Sequence, residues 1–296
     1  MPHAEHIDDA LLRRFPLPVA DGGSKDERGR IFVVAGAPQM PGAAILCATA
    51  ALRAGAGKLQ VATCASVAPH VAAAVLEALV VALPETPSGA IALQAADEIV
   101  ARANKFDACV IGPGLVDSSA CAEVLRAVTP RLDVPTVLDA EALACGGVDA
   151  RALAHLGGRA ILTPHAGEMA SALSVERDEI EGDAPRYARE AAQRFNAVVA
   201  LKGEDTYVAT PDGVLFCNTS GHIGLATSGS GDVLAGVIGG LLARGASPLT
   251  ATLWGVSLHA RAGAALGERI GMGFLARELL ADIPPLMRAL SAPGDA

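Results

Sequence analysis

The chain alternates short apolar runs with stretches of helical spacing along most of its length. The apolar runs predict strands at 30–37, 58–63, 106–112, 134–140, 159–164 and 196–203. The stretches between them predict helices at 42–55, 66–81, 90–103, 118–129, 149–156 and 183–195. Continuous apolar strands joined by helices are typical of a mostly parallel sheet covered by helices on both faces, so we predict the α/β class.

The last third of the chain departs from this alternation. Residues 205–218 read "DTYVATPDGVLFCN", two strand-like runs around Pro-Asp-Gly, which predicts a β-hairpin. Helices are then predicted at 230–244, 248–267 and 274–290. No linker-like or low-complexity segment interrupts the pattern. We therefore expect a single domain over residues 1–296, with residues 1–28 as an N-terminal arm.

Composition excludes several classes of function. The formal net charge is −9 and only 3% of the residues are aromatic, which disfavours binding to nucleic acid or to anionic membranes. The N-terminus resembles no secretory signal, and no run is long and apolar enough to span a membrane. The six cysteines form no C-x-x-C pair, so we expect reduced, buried thiols in a cytoplasmic protein.

Small and polar residues follow most of the predicted strands. These segments are "AGAPQMPGAA" (35–44), "GPGL" (112–115), "DAEAL" (139–143), "TPHAGE" (163–168), "KGEDT" (202–206) and, after the hairpin, "SGSGD" (228–232). Ligands of such sheets bind outside the carboxyl ends of the strands. We therefore expect these loops to form one binding site.

The segment "SGSGD" combines an anion site with a carboxylate. Gly229 and Gly231 let the backbone approach a ligand, and the helix that follows offers unpaired N–H groups, so residues 229–231, with Ser230, predict an anion hole for phosphate. Asp232 would repel a bound phosphate, which favours a role as the base that accepts a proton from an attacking hydroxyl. The alternative is that Asp232 is an ordinary acid in the first turn of a helix.

The sequence contains no complete P-loop, Rossmann or metal-binding motif. "AGAGKL" (54–59) has Leu59 where a P-loop needs Ser or Thr, and no G-x-G-x-x-G opens a helix after a strand. His165 and Glu168 are three residues apart, but the sequence suggests no third ligand. We assign no metal ligand.

Several of these motifs together resemble a known family. "MPGAAILCATAALRAGAGKLQVAT", "GPGL", "VLDAEAL", "TPHAGE", "ALKG" and "GSGDVLAG" occur in this order. The set resembles the ADP-dependent NAD(P)H-hydrate dehydratases of the ribokinase-like superfamily, from about Gly29 to Leu290. The epimerase domain often fused ahead of this family is not expected, because only some 28 residues precede the match.

The resemblance implies a repair reaction. A ring hydroxyl of hydrated NADH or NADPH (NADHX or NADPHX) is phosphorylated by ADP, phosphate leaves, and NAD(P)H and AMP result. Asp232 matches the catalytic base, and Ala43, Gly114 and His165 match the hydrate-binding positions. The positions matching the AMP site are Lys202, Gly203, Glu204, Asp205, Thr206 and Gly231. We also expect Mg²⁺ as an assisting ion and a homo-oligomer, with a tetramer favoured.

Some residues depart from the family pattern, and alternatives stay open. His222 in "GHIG" replaces an asparagine, Ser228 replaces a glycine, and "HAGE" replaces the more usual H-P-G-E. His165 could instead be a structural histidine, and Lys202 could simply end a strand. Two other functions remain: a ribokinase-like kinase of a small alcohol or vitamin precursor, and a non-catalytic nucleotide-binding regulator.

Overall fold

A ten-stranded sheet organises the part of the chain that the structure, a computed structural model, describes: residues 4–19 and 24–291. The strands are β1 (Glu5–His6), β2 (Arg30–Val34), β3 (Lys58–Cys64), β4 (Ala78–Leu83), β5 (Ala108–Ile111), β6 (Thr136–Leu138), β7 (Ala160–Leu162), β8 (Ala197–Leu201), β9 (Thr206–Ala209) and β10 (Leu215–Asn218). Their order across the sheet is β1-β10-β9-β8-β7-β6-β5-β2-β3-β4. Seven neighbouring strands pair in parallel, in the order β8-β7-β6-β5-β2-β3-β4. This confirms the predicted, mostly parallel sheet.

Helices cover this sheet. They are α1 (Asp9–Arg14), α2 (Pro41–Arg53), α3 (Ala68–Ala74), α4 (Ala96–Ala103), α5 (Ser118–Val128), α6 (Glu141–Ala144), α7 (Ala150–Ala154), α8 (Ala166–Leu173), α9 (Arg177–Gly182), α10 (Ala184–Phe195), α11 (Ser230–Ala243), α12 (Pro248–Ile270) and α13 (Ala276–Ser291). Every residue of β5 and of β8 is buried. Because neighbouring side chains of a strand point to opposite faces, both faces are covered there. No helix among the described residues is long and apolar enough to cross a membrane.

Residues 206–218 form a β-hairpin, as predicted. Strand β9 pairs antiparallel with both β8 and β10, and Gly213 in the turn has φ of 89°. The N-terminal arm adds a short strand that the sequence analysis did not predict. Glu5 and His6 pair in parallel with Phe216 and Cys217 of β10, so β1 forms the outer edge.

The predicted helix at 66–81 is wrong in its second half. Helix α3 ends at Ala74, and Ala78–Leu83 forms the edge strand β4, paired with β3. The run "VAAAVLEALVVALP" is almost uniformly apolar, so its periodicity does not separate helix from strand. Pairing with β3 decides the outcome, because it satisfies the backbone groups on one side of this segment.

Helix α11 lies in the core because glycines let it approach its neighbours. A Cβ on Gly236 would lie 2.2 Å from the Cys47 carbonyl oxygen, and one on Gly239 would lie 2.3 Å from Cγ2 of Val110. Larger side chains would push α11 away from α2 and β5. These glycines therefore fix where the N-terminus of α11, with Asp232, meets the sheet.

Candidate active site

Asp232 lies in the first turn of α11, where the sequence analysis placed it. Gly229 precedes the helix as its N-cap, with φ of 89°, a backbone conformation that favours glycine. A Cβ on Gly229 would also lie 2.5 Å from Cδ1 of Leu46 in α2, so a side chain here would force Leu46 to shift. The first N–H groups of a helix lack partners within it, so this turn directs donors and one carboxylate toward the same space.

The surroundings of Asp232 raise its affinity for a proton. Burial is the largest cause, and the negative charges of Asp139 and Glu168 add to it, while the charge of Lys202 acts in the opposite direction. Together they raise the pKa of Asp232 to about 7. A carboxylate with this pKa can accept a proton near neutral pH and is matched to general-base work there.

Lys202 is held between two buried carboxylates. Its Nζ lies 2.9 Å from Oδ1 of Asp139 and 3.7 Å from Oε2 of Glu168. Oδ1 of Asp139 also accepts a hydrogen bond from the Thr163 hydroxyl at 2.7 Å. Burial alone would lower the pKa of Lys202, but the charges of Asp139 and Glu168 outweigh it and raise the pKa. Lys202 therefore stays cationic.

The same lysine reaches the start of α11. A Cβ on Gly231 would lie 3.3 Å from Nζ of Lys202, so the glycine leaves room for the ammonium group. The backbone of Lys202 forms a parallel bridge with His165, and its N–H donates to the Pro164 carbonyl at 2.8 Å. Lys202 thus joins the loops "TPHAGE", "DAEAL" and "SGSGD" in one place.

His165 caps helix α8. Its Nδ1 accepts from the backbone N–H groups of Gly167 and Glu168 at 3.0 and 3.2 Å, while Glu168 accepts from the His165 N–H at 2.8 Å. This is a capping box with histidine in the place of serine or threonine. Because Nδ1 accepts, the neutral ring carries its proton on Nε2, which lies 3.3 Å from Oε1 of Glu168. The side chain is 57% exposed, so the ring can also contact a ligand.

Ala43 and Gly114 lie together on the other side of the site. A Cβ on Gly114 would lie 2.6 Å from Cβ of Ala43, and Gly114 has φ of 66°. Ala43 is the third residue of α2, and Leu46 in the next turn is the residue that lies against Gly229. Helix α2 therefore connects the predicted hydrate-binding positions to the glycine-rich turn.

Ser230 faces inward, not toward a ligand. It is buried, and its hydroxyl lies 2.9 Å from Nε2 of His259 on α12. Burial lowers the pKa of His259 to about 4, so this histidine is neutral. The predicted anion hole consequently has no free Ser230 hydroxyl and depends on backbone N–H groups.

The rest of "KGEDT" lies on the hairpin side of Lys202. Gly203 and Glu204 are exposed, and Thr206 begins β9. The charge of Asp205 contributes to the raised pKa of Tyr207 and of Cys217 in the hairpin.

Among the described residues, no group of three or more His, Cys, Asp or Glu side chains could hold a metal ion.

Sequence reasoning missed Asp139 and considered Glu168 only as a metal ligand. Asp139 directly follows β6, so its place at the carboxyl end of a buried strand was the available signal.

The departure from the family pattern at His222 has a structural explanation. Nδ1 of His222 accepts from the Gly224 N–H at 3.0 Å, a capping bond that an asparagine also makes. Nothing in the structure explains the serine at 228.

The fold is that of the ribokinase-like α/β proteins. Ribokinase from Thermotoga maritima has the same fold, with a TM-score of 0.56 and 17% identity over 86% of this chain and 99% of that one. Within this class, the NAD(P)H-hydrate dehydratase model matches residues 31–285, and the chain belongs to that family.

Two relatives are similar over almost their whole length. An ADP-dependent (S)-NAD(P)H-hydrate dehydratase from Xanthomonas campestris is 45% identical over 290 residues, which cover 98% of each chain. The solved structure of an ADP/ATP-dependent NAD(P)H-hydrate dehydratase from Bacillus subtilis, co-crystallised with ATP and Mg²⁺, superposes with a TM-score of 0.81. It is 28% identical and covers 98% of this chain and 100% of that one.

Proposed function

We propose that this chain catalyses the ADP-dependent dehydration of hydrated NADH and NADPH, releasing AMP and phosphate. Membership of the NAD(P)H-hydrate dehydratase family supports the reaction. The single observation that carries the chemistry is the carboxylate of Asp232 in the first turn of α11, with a pKa raised to about 7.

The reaction has two steps. Asp232 accepts the proton of the ring hydroxyl while the hydroxyl oxygen attacks the β-phosphorus of ADP. A new O–P bond forms, and the P–O bond between the β-phosphorus and AMP breaks. The ring nitrogen then donates its electron pair as the C–O bond breaks and phosphate leaves. The neighbouring ring carbon then loses a proton to water or to the departing phosphate, which restores the dihydronicotinamide. No second strong acid is needed, because phosphate is a good leaving group.

The two substrates approach from different sides. We assign the hydrate to the side of Ala43, Gly114 and His165, since Ala43 and Gly114 are in contact and the His165 ring is accessible. We assign ADP to the side of Lys202 and the turn at Gly231, because Lys202 lies against that turn. In this arrangement the β-phosphate lies between the two groups, next to the helix N-terminus.

Mg²⁺ would be held chiefly by ADP. Magnesium in phosphate-transfer sites is commonly bound by one or two carboxylates together with substrate phosphates. Asp139 and Glu168 already contact Lys202, and Asp232 is needed as the base, so the diphosphate oxygens of ADP would supply most of the ligands. Bound there, the ion would offset negative charge on the diphosphate.

The test is a coupled measurement on hydrated NADH. Incubation of the protein with hydrated NADH and ADP should restore the dihydronicotinamide absorbance and release AMP and phosphate in equal amounts. A small-alcohol kinase would leave the hydrate unchanged, and a regulator would bind nucleotide and release nothing. ATP is run in parallel, since no residue that we can identify excludes a third phosphate. Nucleotide binding without recovery of NADH from either donor contradicts the proposal.

We further propose a single-domain cytoplasmic protein that assembles as a homo-oligomer, with a tetramer favoured. All six cysteines are unpaired thiols, as expected for a reducing compartment. Most apolar residues of α12 are buried within the chain itself. Support for assembly comes instead from large apolar side chains that are exposed near its C-terminal end: Ile270, Met272 and Leu275. Light scattering at micromolar concentration tests the assembly, and a monomer would contradict it.

A further inference from the structure

A separate cavity of about 220 Å³ lies at the other end of α11. Its lining includes Pro18, Glu27, Arg28, Gly55, Arg244 and Met287. Arg244 directly follows α11, whereas Asp232 is in its first turn. A helix of 14 residues is about 21 Å long, so this cavity is distinct from the site at the carboxyl ends of the strands.

The guanidinium group of Arg244 is fixed in the wall of the cavity by neutral partners. Nη1 donates to the Ala54 carbonyl at 3.0 Å, and Nη2 donates to the Pro18 carbonyl at 3.2 Å. Gly55 makes room for the side chain, because a Cβ there would lie 3.3 Å from Nε of Arg244. These contacts hold the position of the cation, but none of them neutralises its charge.

A second cation, Arg28, increases the positive charge of the same cavity. Toward the residues that the structure describes, the Arg28 side chain makes only one long hydrogen bond, from Nη2 to the Gly55 carbonyl at 3.5 Å. Burial lowers the pKa of Arg244, and the charge of Arg28 lowers it further, with no carboxylate opposing them. Within the described ranges, no ion pair joins either arginine to a carboxylate. The one acid in the lining, Glu27, accepts instead from the Ser24 N–H at 2.9 Å.

We propose that this cavity binds a small phosphate-type oxyanion between Arg28 and Arg244. Guanidinium groups form paired hydrogen bonds with phosphate oxygens, and a partly buried cation without a counter-ion gains most from such a ligand. The carboxylate of Glu27 and the partial negative charge at the C-terminus of α11, about half a charge, oppose an anion, but the two arginines still leave the cavity with a net positive charge.

The size of the cavity limits the ligand. At about 30 Å³ for each water, 220 Å³ holds roughly seven waters. Pockets for drug-sized ligands begin at about 300 Å³, so a whole nucleotide is too large. Inorganic phosphate or a small phosphomonoester fits, and the two are distinguished by titration with inorganic phosphate and with glycerol 3-phosphate.

Calorimetric titration of the full chain with inorganic phosphate, at constant ionic strength, tests the proposal. Arg28→Gln removes one cation and only one long hydrogen bond, so the variant should fold normally and bind phosphate about tenfold more weakly. The control is Arg126→Gln, an exposed arginine in the last turn of α5, and it should bind like the wild type. Arg244→Gln should abolish binding, with circular dichroism to check that it folds.

A parallel titration in saturating AMP separates this cavity from the proposed nucleotide site. Phosphate should still bind, and its affinity should still depend on Arg28. Absence of binding to the wild type, or equal affinity in Arg28→Gln and Arg126→Gln, would overturn the proposal. Abolition of phosphate binding by AMP would also overturn it. The experiment does not require catalysis, so its failure is distinct from failure of the proposed reaction.

Discussion

Nζ of Lys202 lies 2.9 Å from Oδ1 of Asp139, a carboxylate that is 1% exposed. The lysine is therefore paired before any phosphate arrives, and with Glu168 and Asp232 the site contains more acids than cations. Burial, together with charge repulsion from Asp139 and Glu168, keeps a proton on Asp232 up to about pH 7. The ion pair thus affects both the candidate nucleotide site and the candidate base.

Removing the charge of Asp139 should shift the pH dependence of the reaction. Asp139 raises the pKa of Asp232, so Asp139→Asn should lower it and move the acid limb of the kcat/KM profile to lower pH. Glu168→Gln should act in the same direction but less, because Glu168 raises the pKa of Asp232 less than Asp139 does. Initial rates between pH 5 and 9 measure both. An acid limb at the same pH in Asp139→Asn would show that Asp232 is not the titrating base.

Asp232→Asn should abolish most of the turnover but keep the fold. General-base contributions are typically about 10²–10⁴-fold in rate, and the amide is too weak a base to replace the carboxylate. Nucleotide binding should be retained. Asp178→Asn is a matched control, because Asp178 is also an acid in the first turn of a helix, α9, but is exposed. A rate within about threefold of wild type for Asp232→Asn would remove this residue from the mechanism.

The same substitution should stabilise the protein at alkaline pH. The pKa of Asp232 rises on folding from 3.8 to about 7, so between these values the folded state binds more protons than the unfolded state. Stability is therefore lost as pH rises through this window, and the full loss is present above pH 7. Asp232→Asn removes the effect, and urea unfolding at pH 8.5 should show a gain on the order of 1–3 kcal/mol. Near pH 4 the two proteins should be equally stable; a pH-independent difference would contradict the assignment.

The sequence predicted the loops of the site better than the contacts within it. The carboxyl-end rule brought Gly114, His165, Lys202 and Asp232 to one edge of the sheet. It could not pair Lys202 with Asp139, which is 63 residues away, because the pairing depends on the order of β6, β7 and β8. The sequence pattern likewise predicted that Ser230 belongs to an anion hole. In the structure its hydroxyl is instead hydrogen-bonded to His259 on α12.

Lys202→Ala should weaken ADP binding about tenfold, since it removes the cation beside the turn at Gly231. It also leaves Asp139 and Glu168 without their cation, so the pKa of Asp232 should rise and the acid limb should move to higher pH. The affinity for the hydrate should change much less. Calorimetry with ADP, and kinetics with varied hydrate, separate the two effects. Unchanged ADP affinity would show that this loop does not form the nucleotide site.

Substitutions at His165 separate a structural role from a role in binding the hydrate. The imidazole accepts two backbone hydrogen bonds at the N-terminus of α8, so His165→Ala should destabilise the protein by about 1 kcal/mol through loss of the cap. Asparagine is a good N-cap residue, so His165→Asn should restore most of this stability but not the Nε2 donor, which lies 3.3 Å from Oε1 of Glu168 in the free protein. If that donor binds the hydrate, both variants should raise the KM for the hydrate several-fold and leave ADP affinity unchanged. Urea unfolding and steady-state kinetics on the same preparations give the two readouts. A normal KM in His165→Asn would make His165 a helix cap and nothing more.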